Sequence, residues 1–302
     1  MKQLLTRFLI YAGIVAFIYW GYLSVVSHVL NTDRLYKLPP EKTVMVIGDS
    51  HTAFGIIDSN LAHVANLSQS ADVYLYNCLK VEKILPLNPQ IRTVIIGFGA
   101  HDVQQFMADV FLKKYEFTKA KVQNYYHLLS ASDLCYLLYK SPTQVIKGVV
   151  GLPKLKTPYV TKILRGKKMD LNDELRIGGF TFREEKIDMK KNIADAAKLV
   201  TDKEDLISMW PWQINYLHKL VDICKAHNVQ VIFIRMPEHK NFPRTIEPEF
   251  QAFRKREFGD IPFLDYLQMD FPDSCFSDMD HLNYYGARIF TDSFAKYAAT
   301  LQ

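Results

Sequence analysis

The chain has 302 residues, 49% of them apolar, enough for one sizeable core with room for an insertion. Its formal net charge is +5, and beyond the first 30 residues 35 basic side chains stand against 32 acidic ones, which excludes a distributed nucleic-acid footprint. Four scattered cysteines (Cys78, Cys135, Cys224 and Cys275) form no Cys-x-x-Cys pair, which argues against a zinc ribbon or a dithiol redox motif.

Residues 8–27 contain no charged side chain, and about 20 apolar residues suffice to cross the hydrocarbon core of a bilayer. No small-x-small cleavage site follows this run, which is long for the apolar part of a signal peptide. An uncleaved single-pass anchor over residues 1–30 is therefore expected, with a cleaved signal peptide as the alternative. Lys2 and Arg7 favour a cytoplasmic N-terminus, which puts the rest of the chain on the outer side of the cell membrane. Trp20 and Tyr22 lie nearer the middle of the run than its end, so no clean aromatic belt is predicted. Residues 31–42, stiffened by Pro39-Pro40, read as a short linker to a domain over 43–302.

Val44 to Ile47 is an apolar, β-branched-rich run that stops at Gly48-Asp49-Ser50-His51. A buried parallel strand has this form, and open α/β sheets place ligands at that edge. A helix is expected over Phe54–Ala65 and another within 72–86. Asn88-Pro89 then breaks the chain before a strand over 91–97. Residues 104–140 read as aromatic-rich helix, for core packing or for an acyl-binding surface. Residues 141–170 read as basic and irregular: a solvated face, with attraction to anionic lipid or an acidic glycan as the alternative. Gly178-Gly179 predicts a turn into a short strand. The α/β pattern resumes with a helix over 210–227, strands at 229–234 and 261–265, and a last helix over 284–300 capped by Asn283. This order predicts a three-layer α/β domain with a parallel sheet and a helical insertion at about 103–205. Buried free thiols and one or two disulfides both remain open for the cysteines.

Near the C-terminus, Asp278 and His281 stand three apart. A histidine oriented by a carboxylate is what a serine hydroxyl needs to act as a nucleophile near neutral pH. Asp280 competes for the orienting role, but an adjacent side chain would need a strained return.

Together, Gly48-Asp49-Ser50 and Asp278-Met279-Asp280-His281 resemble the first and last blocks of the SGNH (GDSL-type) hydrolase superfamily. Gly99-Ala100-His101-Asp102 approximates that family's Gly-x-Asn-Asp block, with His101 in the asparagine position. Its second-block glycine has no clear counterpart, and Ser68-Gln69-Ser70 occupies that place. The resemblance covers about 43–102 and 229–300. It implies a flavodoxin-like sheet, Ser50 as nucleophile, His281 as base and Asp278 as its partner. It further implies an oxyanion hole from the Ser50 amide, an amide at Ser68 or Ser70, and a ring nitrogen of His101. Asp49, His51, Gly99 and Asp102 would line the site, and no cofactor or metal is implied.

The expected reaction is acyl transfer through a Ser50 acyl-enzyme: an esterase with water as acceptor, an O-acyltransferase with a sugar hydroxyl. With the anchor, this points to acylated glycans of the cell envelope or small esters. Two other readings stand beside it. Asp49-x-His51 and Gly99-Ala-His101-Asp102 echo metallophosphoesterase blocks, although that family's Gly-Asp-x-x-Asp and Gly-His-x-His blocks are missing. A membrane-tethered domain that binds a glycan or a partner without turnover is the third.

Overall fold

The computed structural model describes residues 1–113, 116–167, 177–188 and 208–301. The parts of the expected insertion at 168–176 and 189–205 lie outside the described residues. In chain order the first helices are α1 (Lys2–Leu30), α2 (Ser50–Gly55), α3 (Tyr74–Ile84), α4 (Ala100–Val103), α5 (Phe106–Leu112) and α6 (Phe117–Tyr125). They are followed by α7 (Ala131–Lys140), α8 (Pro142–Leu164), α9 (Pro211–Ala226), α10 (Glu247–Phe258) and α11 (Tyr284–Ala298). The strands are β1 (Val44–Ile47), β2 (Val64–Asn66), β3 (Thr93–Gly97), β4 (Gln230–Arg235) and β5 (Phe263–Asp265).

The strands form one sheet in the order β2-β1-β3-β4-β5, and every neighbouring pair is parallel. β1 and β3 are buried along their whole length, because helices cover both faces. Met45, Ile47, Val94, Ile96 and Phe233 share one core with α3, α9 and α10. Val44, Val46, Ile95, Ile232 and Ile234 share the other with Phe290 and Phe294 of α11. A third cluster joins α5 through α8 to Leu79 and Trp210. The result is a three-layer α/β fold with a helical insertion. Strand order reverses between β1 and β3, so the crevice beyond their carboxyl ends is the switch point where such sheets bind ligands.

Several local expectations are corrected. The first helix begins at Ser50, not Phe54, because the Asp49 side chain caps it by accepting the His51 amide at 2.9 Å. Residues 64–66 belong to strand β2, not to that helix, and pair with β1. Residues 142–164, expected to be irregular, form the 23-residue helix α8. Pro142 sits in its first turn, where the missing N–H costs nothing, and Pro153 and Pro158 are carried inside it. Residues 31–42 are not free chain: Tyr36 is fully buried, and its hydroxyl donates to the Leu30 carbonyl at 3.0 Å. All four cysteines are free thiols, and Cys78, Cys224 and Cys275 are buried.

Among the described residues, up to 188, no strand follows Gly178-Gly179. Instead the segment lies across the loop after β2 and across α2, with the Gly179 amide donating to Ser68 and the Thr181 amide to Ala53. Gly178 has φ +149°, and a Cβ there would collide with the Leu67 carbonyl. Gly178→Ala should therefore cost roughly 1–3 kcal/mol of stability, read as a lowered Tm. An unchanged Tm would show that the segment does not depend on this close approach.

Candidate active site

The ends of β1 and β3 come together through two glycines. A Cβ on Gly48 would stand 2.5 Å from Thr52 Oγ1 and 3.2 Å from Gly97 Cα. This close approach turns the chain sharply, so that Ser50 opens α2 at the lip of the crevice. The first amides of a helix have no intrahelical partner, and while Asp49 takes that of His51, the Ser50 amide faces no such competitor.

Ser50 Oγ lies 2.8 Å from His281 Nε2, and His281 Nδ1 lies 2.8 Å from Asp278 Oδ1. Asp278 Oδ1 also accepts the His281 backbone amide at 2.8 Å, which locks the carboxylate to the loop that carries the ring. Asp280 Oδ1 is 3.2 Å from the same Nδ1. The second oxygen of Asp278 accepts from Arg183 Nη1 at 3.2 Å. The Arg183 guanidinium lies over the Phe54 ring, 4.9 Å from its centroid, and that ring is 5.1 Å from the His281 ring. Ser50, His281 and Asp278 thus form one hydrogen-bonded chain assembled from opposite ends of the sequence.

A second group stands beside it. His101 Nε2 is 2.9 Å from Asp49 Oδ2 and 3.5 Å from Asp102 Oδ1. His51 stacks on His101 with centroids 4.2 Å apart, and its Nε2 is 3.9 Å from Asp280 Oδ2. Asp102 Oδ2 accepts the Gly99 amide at 2.8 Å. The Nε2 of His101 is therefore engaged with Asp49. The Ser68 amide is engaged too, donating to Asn66 Oδ1 at 3.0 Å. Of the two candidate amides after β2, Ser70 is the one whose residue lines the crevice, next to Ala71 at φ +59°.

That loop is braced from behind by buried charge. Asp72 bridges Lys80 at 2.6 Å and Lys121 at 2.5 Å, and accepts from the Tyr125 hydroxyl at 2.8 Å. Lys80 also reaches the Leu67 carbonyl, and Lys121 the Ser70 carbonyl at 2.7 Å. Each buried cation is satisfied by several acceptors, the condition under which burial of charge is tolerated.

The electrostatics divide the histidines. Burial works against protonation of His281, but the carboxylates of Asp280 and Asp278 outweigh it and hold its pKa well above the ordinary value. Burial likewise opposes ionisation of Asp280, yet His281 and His51 keep it well below the carboxylate range. Against its own burial, His101 is pushed up to about 10 by Asp102 and Asp49. Burial and the neighbouring His101 push His51 down to about 3, so it is the neutral ring of the cluster. Burial raises Asp102 to about 7.

A cavity of about 640 Å³ opens over Ser50 and His281. One wall is apolar: Phe106, Met107, Val110 and Phe111 from α5, and Phe117 from α6. Phe242, Arg244, Ile246 and Glu238, from the chain between β4 and α10, line the cavity as well. Burial pushes the Glu238 carboxyl up to about 7. Arg183, Glu238 and Arg244 are site residues that the sequence pattern did not single out. Glu238 lies three residues past the end of β4, a position that could have flagged it.

Among the described residues, two sets of side chains have metal-ligand character: Asp49, His51 and His101, and His51, Asp280 and His281, each with its donor atoms within 4.8 Å of one another.

The fold is similar to that of a GDSL-like lipase from Bacteroides thetaiotaomicron, at 11% identity and a TM-score of 0.40 over 88% of this chain and 92% of that one. It is similar also to a candidate acylhydrolase from Bacteroides fragilis, at 12% identity and a TM-score of 0.39 over 89% and 94%. A family model that carries no functional description matches residues 179–301, a stretch holding Arg183, Asp278 and His281 but not Ser50. No curated protein matches the chain.

Proposed function

We propose that the chain is a serine-dependent acyl-transfer enzyme, with Ser50 as nucleophile, His281 as general base and Asp278 as the orienting carboxylate. The observation that carries this reading is the hydrogen-bonded chain Ser50–His281–Asp278 at the mouth of the cavity. Ser50 Oγ attacks the acyl carbonyl while His281 Nε2 takes its proton, then returns it to the departing alkoxide. The Ser50 amide and an amide of the Ser70 loop, both from residues that line the cavity, would receive the oxyanion. An acceptor hydroxyl, activated by the same histidine, then cleaves the acyl-enzyme. Water makes the protein an esterase; a sugar hydroxyl makes it an O-acyltransferase. Anchored by α1 with its domain outside the cell membrane, it would act on acyl groups of envelope glycans.

The apolar wall from α5 and α6 favours an apolar acyl chain. Each buried methylene contributes about 0.8 kcal/mol, so kcat/KM for aryl esters should rise about fourfold per methylene beyond acetyl until the wall is filled. A preference for acetyl over every longer chain would remove the wall from the acyl site.

The Asp49, His51 and His101 set favours a second reading, a metal-assisted hydrolase. Chelation separates the two. Turnover that survives chelator and is lost in Ser50→Ala supports the serine mechanism; turnover lost to chelator and kept by Ser50→Ala overturns it.

A further inference from the structure

The long first helix divides into two parts. Residues 1–18 are exposed, whereas Leu23, Val26, Val29 and Leu30 are buried against the domain. Between them α1 meets α8. The Tyr19 hydroxyl donates to the Val149 carbonyl, Tyr22 Oη lies 3.0 Å from Thr157 Oγ1, and Arg34 Nη2, just past the helix, donates to the Ile163 carbonyl at 3.4 Å. The contacts advance in the same direction along both segments, so Val149 lies level with the Tyr19 hydroxyl and the turns of α8 before it lie toward the exposed end of α1. The junction is stiff, because Tyr36 is buried and Lys83 clasps Asp33 at 2.8 Å and the Asn31 carbonyl at 2.9 Å.

Length then sets the depth. The stretch clear of the domain, from Leu4 to Ile18, is apolar but for Thr6 and for Arg7, whose long side chain can reach back to the inner headgroups; it is roughly 15 residues, or about 22 Å at 1.5 Å per residue. A bilayer's hydrocarbon core is about 30 Å thick and needs about 20 residues. The missing residues bring the outer boundary to the neighbourhood of Leu23, past Tyr19 and past the first turns of α8. There α8 exposes Ile146 and Val150, one turn apart and 56% and 67% accessible, and the end of α7 exposes Tyr139 at 79%. Exposed Lys147, paired with Glu116 at 3.4 Å, and exposed Lys154 flank them, and a cation such as Lys154 suits anionic headgroups. At this depth Tyr19, Trp20 and Tyr22 fall at the outer interface, where aromatic residues concentrate. An anchor over 8–27 would leave them inside the hydrocarbon.

We propose that Tyr139, Ile146 and Val150 are seated in the outer interfacial layer of the bilayer that α1 enters, holding the domain against the membrane in one orientation. This rests on the reading of α1 as a membrane anchor and is independent of the catalytic reading.

The test uses the full chain in liposomes of phosphatidylcholine and phosphatidylglycerol, with the exposed Cys135 replaced by serine. Single nitroxide labels are attached at Ile14→Cys, Ile146→Cys, Val150→Cys and Ile289→Cys, the last on an exposed position of α11. Power saturation compares relaxation by oxygen, which enriches in lipid, with relaxation by a water-soluble nickel chelate. Labels at 14, 146 and 150 should respond more to oxygen, and the label at 289 more to nickel. A nickel-dominated response at 146 or 150, with 14 still oxygen-dominated, overturns the proposal and leaves the anchor standing. A nickel-dominated response at 14 overturns both.

Discussion

Replacing Ser50 by alanine is expected to lower aryl-ester turnover by roughly 10⁴-fold or more, and His281→Ala by a similar factor. The two side chains share one hydrogen bond of 2.8 Å, and neither has a substitute placed to take over its role. His51 is near, its ring 4.7 Å from that of His281, but burial and His101 hold it neutral and its Nε2 is directed to Asp280 at 3.9 Å. Because the pair acts as a unit, the double variant should be no slower than either single one. Ser50 is only partly buried and its loss removes one hydrogen bond, so Tm should stay nearly unchanged. Ester turnover in a folded Ser50→Ala protein close to wild type would remove the serine from the chemistry.

The second large effect separates the two carboxylates around His281. Asp278→Asn should lower kcat by roughly 10⁴-fold near neutral pH, because an amide at Nδ1 favours the wrong tautomer. Asp278 makes the shorter contact to Nδ1, 2.8 Å against 3.2 Å for Asp280, and is itself held by Arg183 and the His281 amide. Asp280→Asn should act differently. The base works only when neutral, so activity rises as pH passes the pKa of His281. That pKa is raised, chiefly by Asp280 acting against burial. Removing the Asp280 charge lowers it, and the ascending limb of the pH–rate profile should move to lower pH with a much smaller loss of maximal rate. A pH–kcat series on both variants decides the matter. The opposite pattern, collapse in Asp280→Asn and a displaced limb in Asp278→Asn, would make Asp280 the orienting residue.

The central strands β1, β3 and β4 were legible because they are buried on both faces, whereas the short edge strand β2 reads as the tail of a helix. Val44–Ile47 and Thr93–Gly97 read as unbroken apolar runs, and each ends in glycine-containing turns that mark the functional edge. Asp278 and His281 were legible because their spacing is local. What escaped depends on contacts between distant segments. Arg183 reaches Asp278 from 95 residues away, on a chain that crosses α2 without joining a ladder, so no periodicity announces it. The pairing of His101 Nε2 with Asp49 joins the ends of two strands 52 residues apart, so no local spacing announces it. Helix α8 was hidden by its many basic residues, which read as an irregular solvated face, although packing of Val145, Leu152 and Val160 forms the helix and carries it through Pro153 and Pro158. Finally, the apolar run at the N-terminus could not reveal that its last turns face protein. Only the burial of Val26, Val29 and Leu30 shows where the domain begins.

The most direct test is covalent. The full-length protein is treated with an alkyl fluorophosphonate, which phosphonylates an activated serine hydroxyl, and then mapped by peptide mass spectrometry. A single stoichiometric adduct on Ser50, absent in His281→Ala and unaffected by chelator, is the predicted result. No adduct on Ser50 in the folded protein, or an equal one in His281→Ala, would contradict the mechanism.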